Sequence, residues 1–375
     1  MKVHIWGLGY LVKSGSGNID LDGNIVSYFK SLSQLADRLN VWIPLPKGSP
    51  LIRSEDFNIN FYRTNRFFVI FSGLRLLFHS RGSHIFLFMP AASRIAIFVP
   101  LYKFFSKSLT VYLADDPYAL ADGLRLSKVP FVKSLYLLLI KQYLKLADRV
   151  IVRGKYLRGL ASRHNENVEI TVPITKLIDY KNRKLLGGQN SRFNIVTLGR
   201  LTWEKGYKIL LDAYSEWLHK TDVCSNQYKL TIGGDGPDAE AIKKYVKELN
   251  LENSVAFPGW ILSEESKMQF WQDADLHVLP TINTEGVPRS IDEAIINQVP
   301  TIASAIGGIP EEYANNEICQ IKPNNTKALL KAFEKMVDFR NYNQYLENAK
   351  IRREYLLKLP SAAEQHFSII QIHLS

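Results

Sequence analysis

Two glutamates, Glu285 and Glu293, stand eight positions apart where a loop is predicted to join a helix. The apolar run Leu276–Pro280 in front of them predicts a buried strand, and the apolar spacing behind them predicts a helix with Glu293 two turns inside it. In open α/β sheets, ligands bind at the carboxyl ends of the strands, so Glu285 is expected to face a cleft. Two separated carboxylates could hold the hydroxyl groups of a large polar substrate, or could act as an acid and base pair.

A second segment, Leu198–Gly206, brings two cations to the start of another helix. It follows a strand-like run that begins at Phe193 and precedes an apolar helical pattern. Free backbone N–H groups and the helix dipole suit the capture of an anion there. Arg200 could contact two phosphate oxygens at once, whereas Lys205 would act as a point charge. The alternative is a plain turn with solvated cations.

Three glycine-containing segments follow further strand-like runs. They are Thr231–Pro237, which contains Gly234, then Val255–Trp260, which contains Gly259, and finally Ala305–Glu311. Glycine allows backbone to approach a ligand closely or to adopt a positive φ. Each segment alone is more often an ordinary turn, so the argument depends on their order.

In that order and spacing, these segments resemble the C-terminal domain of the retaining glycosyltransferases of family 4, which have the GT-B fold. The resemblance covers roughly residues 193 to 320. It implies that Arg200 and Lys205 bind the donor diphosphate, that Glu285 contacts the transferred sugar and that Glu293 binds the ribose hydroxyls. The further residues implied to bind the donor are Gly286, Val287, Pro288 and Arg289 around the sugar and phosphates, Gly259, Trp260 and Ile261 near the base, and also Gly234 and Gly23.

The resemblance also implies a reaction. The donor would be a nucleotide-diphosphate sugar, UDP- or GDP-linked, with no separate cofactor and no metal. A hydroxyl group of a glycan or lipid-linked acceptor would attack from the face that the diphosphate leaves, so the anomeric configuration would be retained. The two cations and helix N-terminal amides would stabilise the charge on the leaving diphosphate.

One departure concerns a histidine that many relatives carry after the strand matching Leu109–Leu113. This chain has Asp115 and Asp116 there instead. One of them could hydrogen-bond a sugar hydroxyl or help to deprotonate the acceptor. The alternative is that Asp116 and Pro117 form a turn. His277, inside a predicted strand, is expected to be a core residue.

Strand-like runs alternate with helical patterns in both halves of the chain, which predicts an α/β protein with parallel sheets. We therefore expect two Rossmann-like domains facing each other across a cleft, which agrees with the GT-B architecture that the resemblance implies. Residues 1–185 would form the acceptor-binding domain, completed by a C-terminal helix at 355–375, and residues 186–354 would bind the nucleotide sugar. A polar linker is predicted at Asp179–Asn190.

Charge is distributed unevenly along this basic chain, whose formal net charge is +11. Residues 1–185 hold 27 Lys and Arg against 12 Asp and Glu, which predicts an anionic partner. Nucleic acid is not expected, since neither zinc-ligand spacing nor a known binding motif occurs. Within 94–107 and 128–145 the cations alternate with large apolar residues, which favours peripheral contact with an anionic membrane. The alternative is that these apolar faces belong to the core.

The remaining features predict a cytoplasmic protein, and the expected membrane contact would bring it to the inner face of the plasma membrane. With only two cysteines, no disulfide framework is predicted, and the N-terminus lacks a signal-peptide pattern. No uninterrupted apolar run reaches the length of about 18 residues that a membrane-spanning helix needs. Two other functions stay open: a glycoside hydrolase that uses Glu285 and Glu293, and a non-catalytic nucleotide-sugar-binding protein, which the missing histidine would favour.

Overall fold

The computed structural model describes residues 2–6, 11–13, 19–21, 23–43, 59–63, 69–89, 97–123, 130–171, 192–220, 227–261 and 263–371. It divides the chain into two compact units. The first consists of residues 1–176 together with 360–375, and the second of residues 177–359. The predicted linker Asp179–Asn190 lies outside the described residues.

The first unit is a parallel α/β sheet with helices on both faces. Its elements are β1 (Lys2–Trp6), β2 (Leu11–Lys13), β3 (Ile19–Leu21), α1 (Gly23–Leu35), β4 (Arg38–Ile43), β5 (Ile59–Arg63), α2 (Val69–His79), β6 (His84–Met89), α3 (Val99–Phe105), β7 (Ser108–Leu113), α4 (Pro117–Gly123), α5 (Pro130–Leu146), β8 (Arg149–Val152), α6 (Gly154–Ala161), β9 (Val168–Ile170) and the late helix α14 (Ala362–Gln371). Seven strands pair in the order β5-β4-β1-β6-β7-β8-β9, and β2 and β3 form a separate hairpin.

Near-continuous apolar runs explain this sheet. Strands β6 and β7 are buried at every position, as is usual where helices cover both faces of a parallel sheet. One face packs against α2, α3, α5 and α6, and the other against α1 and α14. Right-handed crossovers from strand to strand produce this division.

The second unit repeats the same plan. Its elements are β10 (Phe193–Leu198), a short 3-10 helix (Trp203–Lys205), α7 (Tyr207–Lys220), β11 (Tyr228–Gly233), α8 (Ala239–Glu248), β12 (Val255–Gly259), α9 (Glu264–Gln272), β13 (Leu276–Leu279), α10 (Arg289–Ile296), β14 (Thr301–Ser304), α11 (Ile309–Glu312), β15 (Cys319–Ile321), α12 (Thr326–Val337) and α13 (Phe339–Lys358). Its parallel strands pair in the order β12-β11-β10-β13-β14-β15. The carboxyl ends of β10 and β13 are therefore neighbours.

The C-terminal segment changes unit after α13. Tyr342 donates its hydroxyl hydrogen to Asp275 O, and Arg353 Nε donates to Ile296 O, so α13 belongs to the second unit along its length. The chain returns to the first unit at Pro360, five residues later than the start at 355 that the sequence suggested. There, α14 packs its apolar face on α1.

Candidate functional site

The site is built where the loop after β10 meets the loop after β13. Ile282 N donates to Glu204 O at 2.9 Å, and the Thr281 hydroxyl lies 3.2 Å from the same oxygen. Gly206, at φ 81°, completes the contact, because a Cβ there would lie 1.9 Å from Pro280 O. Only glycine permits this approach. The two segments that the sequence singled out therefore pack directly against each other.

This packing joins Lys205 to Glu285. Lys205 Nζ donates to Glu285 Oε1 in an ion pair, and both side chains are largely buried, at 26% and 14% exposure. The Thr281 hydroxyl lies 3.1 Å from the same carboxylate oxygen. Glu285 also contributes to raising the pKa of Tyr207, although burial is the larger cause. A predicted donor cation and a predicted sugar ligand thus form one charged cluster.

A third loop, after β14, holds the backbone of Glu285. Gly308 N donates to Glu285 O at 2.9 Å. Gly307 has φ 59°, and a Cβ there would lie 2.2 Å from that oxygen. The glycine-rich turn at Ala305–Glu311 was noticed in the sequence without a role. Its contact shows that it positions Glu285.

Gly234 supports the cationic loop from the β11 side. At φ 123°, a Cβ on it would lie 1.9 Å from Gly199 O, and its N–H donates to Gly259 O at 2.8 Å. The next residue, Asp235, accepts from Leu201 N at 3.0 Å through its carbonyl. In the structure this glycine serves close packing between loops. That it also contacts the donor stays a prediction.

Arg200 projects from the loop that Gly234 supports. Its side chain is exposed, and within the described part of the chain no ion-pair partner is recorded for it. The Arg200 carbonyl lies 3.4 Å from the Tyr207 hydroxyl. This guanidinium therefore stands at the carboxyl end of β10 with its donors directed away from the core, as an anion ligand requires.

Glu293 lies on α10, one turn rather than two from the helix start. The sequence placed the start too early, because Pro288 fixes φ at −65° as the helix cap and the first helical residue is Arg289. Arg289 Nε donates to Glu293 Oε1 at 2.7 Å, and the carboxylate is 13% exposed. The intervening residues are packed: Gly286 and Pro288 are buried, and Val287 lies against the Ile291 cluster. Each glutamate of the pair is thus held by its own cation.

The segment predicted to lie near the base ends β12 at the same sheet edge. Gly259 has φ 77° with open space where a Cβ would be. Trp260 is half exposed, and Ile261 packs on Gly233. An exposed indole beside two glycines could stack on a planar ring. Within the described chain, no group of three or more His, Cys, Asp or Glu side chains could hold a metal ion.

In the first unit, the two aspartates after β7 differ in their surroundings. Asp116 is buried: its Oδ1 accepts from Tyr118 N at 2.8 Å as the cap of α4, and its Oδ2 accepts from the Tyr156 hydroxyl at 2.6 Å. Both oxygens are therefore engaged in holding the fold. Asp115 is half-buried. Gly23 is the first residue of α1, and its neighbour Asp22 lies outside the described residues.

Asp115 and Asp116 also affect the pKa of a nearby tyrosine. Burial, followed by the charges of Asp115 and Asp116, raises the pKa of Tyr136 to about 12. The sequence missed this tyrosine, as it missed Thr281 and Tyr156, because each becomes relevant only through contacts distant in the chain. For Thr281, the sequence offered one signal, its position four residues before Glu285.

The comparisons identify the family of the second unit. The family model described as glycosyl transferases group 1 matches residues 181–353. This match lies within the second unit and covers just under half of the chain. Over 219 residues it is 27% identical to Protein CapJ of Staphylococcus aureus, which covers 58% of this chain and 50% of that one. Over 194 residues it is 28% identical to the alpha-monoglucosyldiacylglycerol synthase of Streptococcus pneumoniae, covering 48% and 41%. The chain thus spans about half, or less, of these relatives.

Solved structures match the whole chain and establish the GT-B fold. The sucrose-phosphate synthase from Thermosynechococcus elongatus aligns with a TM-score of 0.75 at 16% identity, over 100% of this chain and 99% of that one. The Anabaena protein HepE, solved with UDP and glucose, aligns with a TM-score of 0.70 at 16% identity over the same shares. The predicted fold class is confirmed, and over the second unit the family model agrees with the predicted family.

Proposed function

We propose that this protein is a glycosyl transferase that moves a sugar from a nucleotide-diphosphate sugar to a hydroxyl group of a glycan or lipid-linked acceptor, with retention of configuration. The observation that carries the proposal is the Lys205–Glu285 ion pair at the carboxyl ends of neighbouring strands, beside the exposed Arg200. Cations for a diphosphate and a carboxylate for sugar hydroxyls meet at one point there.

The residues divide the work as follows. Arg200 and Lys205 bind the diphosphate and stabilise the charge that grows on it as the bond to the anomeric carbon breaks. Glu285 orients the sugar, and Glu293 binds the ribose. The acceptor oxygen forms its new bond on the face that the diphosphate leaves, and the acceptor proton departs with the diphosphate. These cations make the proposed reaction independent of a metal.

Names among the relatives guide the choice of substrates. HepE was solved with UDP, which supports testing UDP-sugars before GDP-sugars. One relative is named for the synthesis of a monoglucosyldiacylglycerol, which supports a lipid acceptor. The first unit would bind the acceptor, with Asp115 as the residue beside it. An anionic membrane, at its cytoplasmic face, is the proposed partner of this unit.

Calorimetric titration with UDP, GDP and ADP, each compared with its sugar conjugates, tests the proposal. Arg200→Ala should weaken binding of the preferred diphosphate by roughly 10- to 100-fold, the value of a charge-assisted hydrogen bond. Lys208→Ala is the matched control, because it removes an exposed cation of α7 that pairs with Asp212. Absence of binding by any nucleoside diphosphate at millimolar concentration would overturn the proposal.

Product analysis separates the remaining functions. A transferase releases nucleoside diphosphate only as sugar appears on the acceptor, and the product keeps the donor's anomeric configuration. A non-catalytic protein would bind the donor without turnover. A hydrolase would release sugar from a glycoside that carries no nucleotide, and Arg200→Ala would leave its rate unchanged.

A further inference from the structure

Three helices of the first unit expose large apolar side chains in a regular pattern. On α2 they are Phe71 and Phe78, on α3 Phe104 with Ile97 two residues before the helix start, and on α5 Phe131 and Leu138, with exposures from 52% to 80%. On α2 and α5 the two members are seven residues apart, which places them on one face of the helix. We call these six side chains the three-helix patch.

The patch is held on a rigid layer. Opposite faces of the same helices are buried, through Leu76, Tyr102 and Tyr143. The Tyr102 hydroxyl donates to Gly73 O at 2.9 Å, which fixes α3 to α2. Lys103 of α3 forms an ion pair with Asp148, which lies two residues after the end of α5. This ion pair fixes the other side of α3. The exposed side chains therefore belong to helices that are firmly packed on the core.

Its size lies at the upper end of the apolar patches that soluble monomers expose. Four phenylalanines, each about two-thirds or more exposed, present on the order of 500 Å² of apolar surface, given roughly 200 Å² per ring. Contiguous patches of several hundred Å² usually mark an interaction site. Within the described residues, no helix is both long and apolar enough to cross a membrane.

The basic residues near the patch favour an anionic partner. Residues 57–114 contain seven Lys and Arg and no Asp or Glu. Arg81, Lys107 and Lys145 are exposed and lie near the ends of α2, α3 and α5. The ends of α2 and α3 meet, since Gly82 N donates to Phe105 O and Lys107 N donates to Ser83 O, and the Lys103–Asp148 ion pair joins α3 to the segment after α5. A second copy of the same patch would bring like charges together, whereas an anionic surface would attract them.

We propose that the three-helix patch docks the protein on an anionic lipid bilayer. The phenylalanine rings enter the boundary between headgroups and acyl chains, and Arg81, Lys107 and Lys145 contact lipid phosphates. The inference deepens the membrane partner of the proposed function and rests on it for its purpose, which is to bring the first unit to a lipid-linked acceptor. Of the three helices, α2 was not among the segments that the sequence indicated.

Vesicle co-sedimentation tests the docking. The protein is mixed with vesicles of phosphatidylcholine alone or with about one-third phosphatidylglycerol, at low and high salt. We expect partitioning to the anionic vesicles that weakens with salt. Phe78→Ser with Phe104→Ser should lower it at least about 10-fold, because each ring transfers from water to an apolar environment. Lys107→Gln with Lys145→Gln should lower it on the anionic vesicles alone, by roughly fivefold per lysine.

Phe339→Ser is the matched control, since this phenylalanine is 69% exposed on the second unit. It should bind vesicles as the unaltered protein does. Equal partitioning by the Phe78/Phe104 variant and the Phe339 variant would overturn the proposal. It would also be overturned if neither variant bound vesicles and the Phe78/Phe104 variant changed from dimer to monomer, because the patch would then be a contact between two copies of the chain. Nucleoside diphosphate binding, measured on the same variants, should not change, so failure of docking and failure of the transfer function are distinguishable.

Discussion

Lys205 and Glu285, 80 positions apart in the chain, neutralise each other in the proposed donor site. A diphosphate that binds Lys205 must compete with this carboxylate, and a sugar that binds Glu285 must compete with the ammonium group. The ion pair therefore holds both side chains in place before the donor arrives, at some cost in diphosphate affinity.

Replacing Glu285 by Gln should separate binding from transfer. Loss of the negative charge frees Lys205 and removes repulsion of the phosphates, so UDP or GDP should bind as tightly or up to about 10-fold more tightly. Transfer should fall about 100-fold, because the amide holds the sugar less well in the transition state. Calorimetry and initial rates measure the two effects. Glu216→Gln, which removes an exposed carboxylate from α7, should change neither. Equal losses in binding and transfer would contradict the competition between diphosphate and carboxylate.

Gly307 should be intolerant of a side chain because of the Glu285 carbonyl beside it. Gly307→Ala places a Cβ 2.2 Å from that oxygen at φ 59°. We expect a loss of about 1–3 kcal/mol in unfolding free energy and at least a 10-fold loss of transfer, as the Glu285 backbone shifts. Denaturant unfolding and initial rates measure these quantities.

Gly159→Ala provides the comparison, because nothing lies within 4 Å of its would-be Cβ. It should retain full activity and unaltered or slightly increased stability. A Gly307→Ala protein with normal transfer would show that the loop after β14 does not position Glu285.

Asp115 and Asp116 should separate into one functional and one structural carboxylate. Asp116→Ala removes the α4 cap and the acceptor for Tyr156, so about 1–2 kcal/mol of stability should be lost, and Tyr156→Phe should reproduce part of that loss. Asp115→Ala should keep stability within about 0.5 kcal/mol but lower transfer. Thermal unfolding and kcat decide the assignment. If Asp115→Ala transferred sugar at the wild-type rate, neither aspartate would replace the histidine that many relatives carry.

The sequence predicted the strands on which this arrangement of Lys205 and Glu285 is built. The runs beginning at Phe193 and Leu276 were predicted as strands, and their pairing as neighbours brings Lys205 and Glu285 to one edge. The two Rossmann-like domains followed from the alternation of strands and helices, whereas the GT-B fold was implied by the family resemblance. The short strands β9 and β15, of three residues each, carry too few apolar positions to be distinguished from loops.

Side-chain partnerships were beyond the sequence, because they depend on loop geometry. The Thr281 contact, the Gly307 approach and the Tyr156–Asp116 hydrogen bond each join residues through backbone positions that no periodicity specifies. The start of α10 was misplaced by about a turn for a similar reason, since Pro288 acts as a cap rather than as a helical residue.

Three buried histidines should make the protein less stable in mild acid. Burial lowers the pKa of His4, His277 and His366 to about 3, compared with about 6.5 in an unfolded chain. Between these values the unfolded chain binds protons that the folded protein excludes. Their stabilisation is therefore complete above about pH 6.5 and declines as the pH falls, by up to about 1.4 kcal/mol per pH unit for each histidine.

His366 offers the sharpest test, because it anchors α14 to the first unit between two hydroxyl groups. Its Nδ1 lies 2.9 Å from the Tyr28 hydroxyl and its Nε2 lies 3.1 Å from Thr171 Oγ1. His366→Gln should lower stability at neutral pH but reduce the slope of unfolding free energy between about pH 6.5 and pH 4.5 by close to one proton. Urea unfolding across that range measures the slope. His219→Gln, at an exposed position, should leave it unchanged, and an unaltered slope in His366→Gln would mean that this histidine titrates alike in both states.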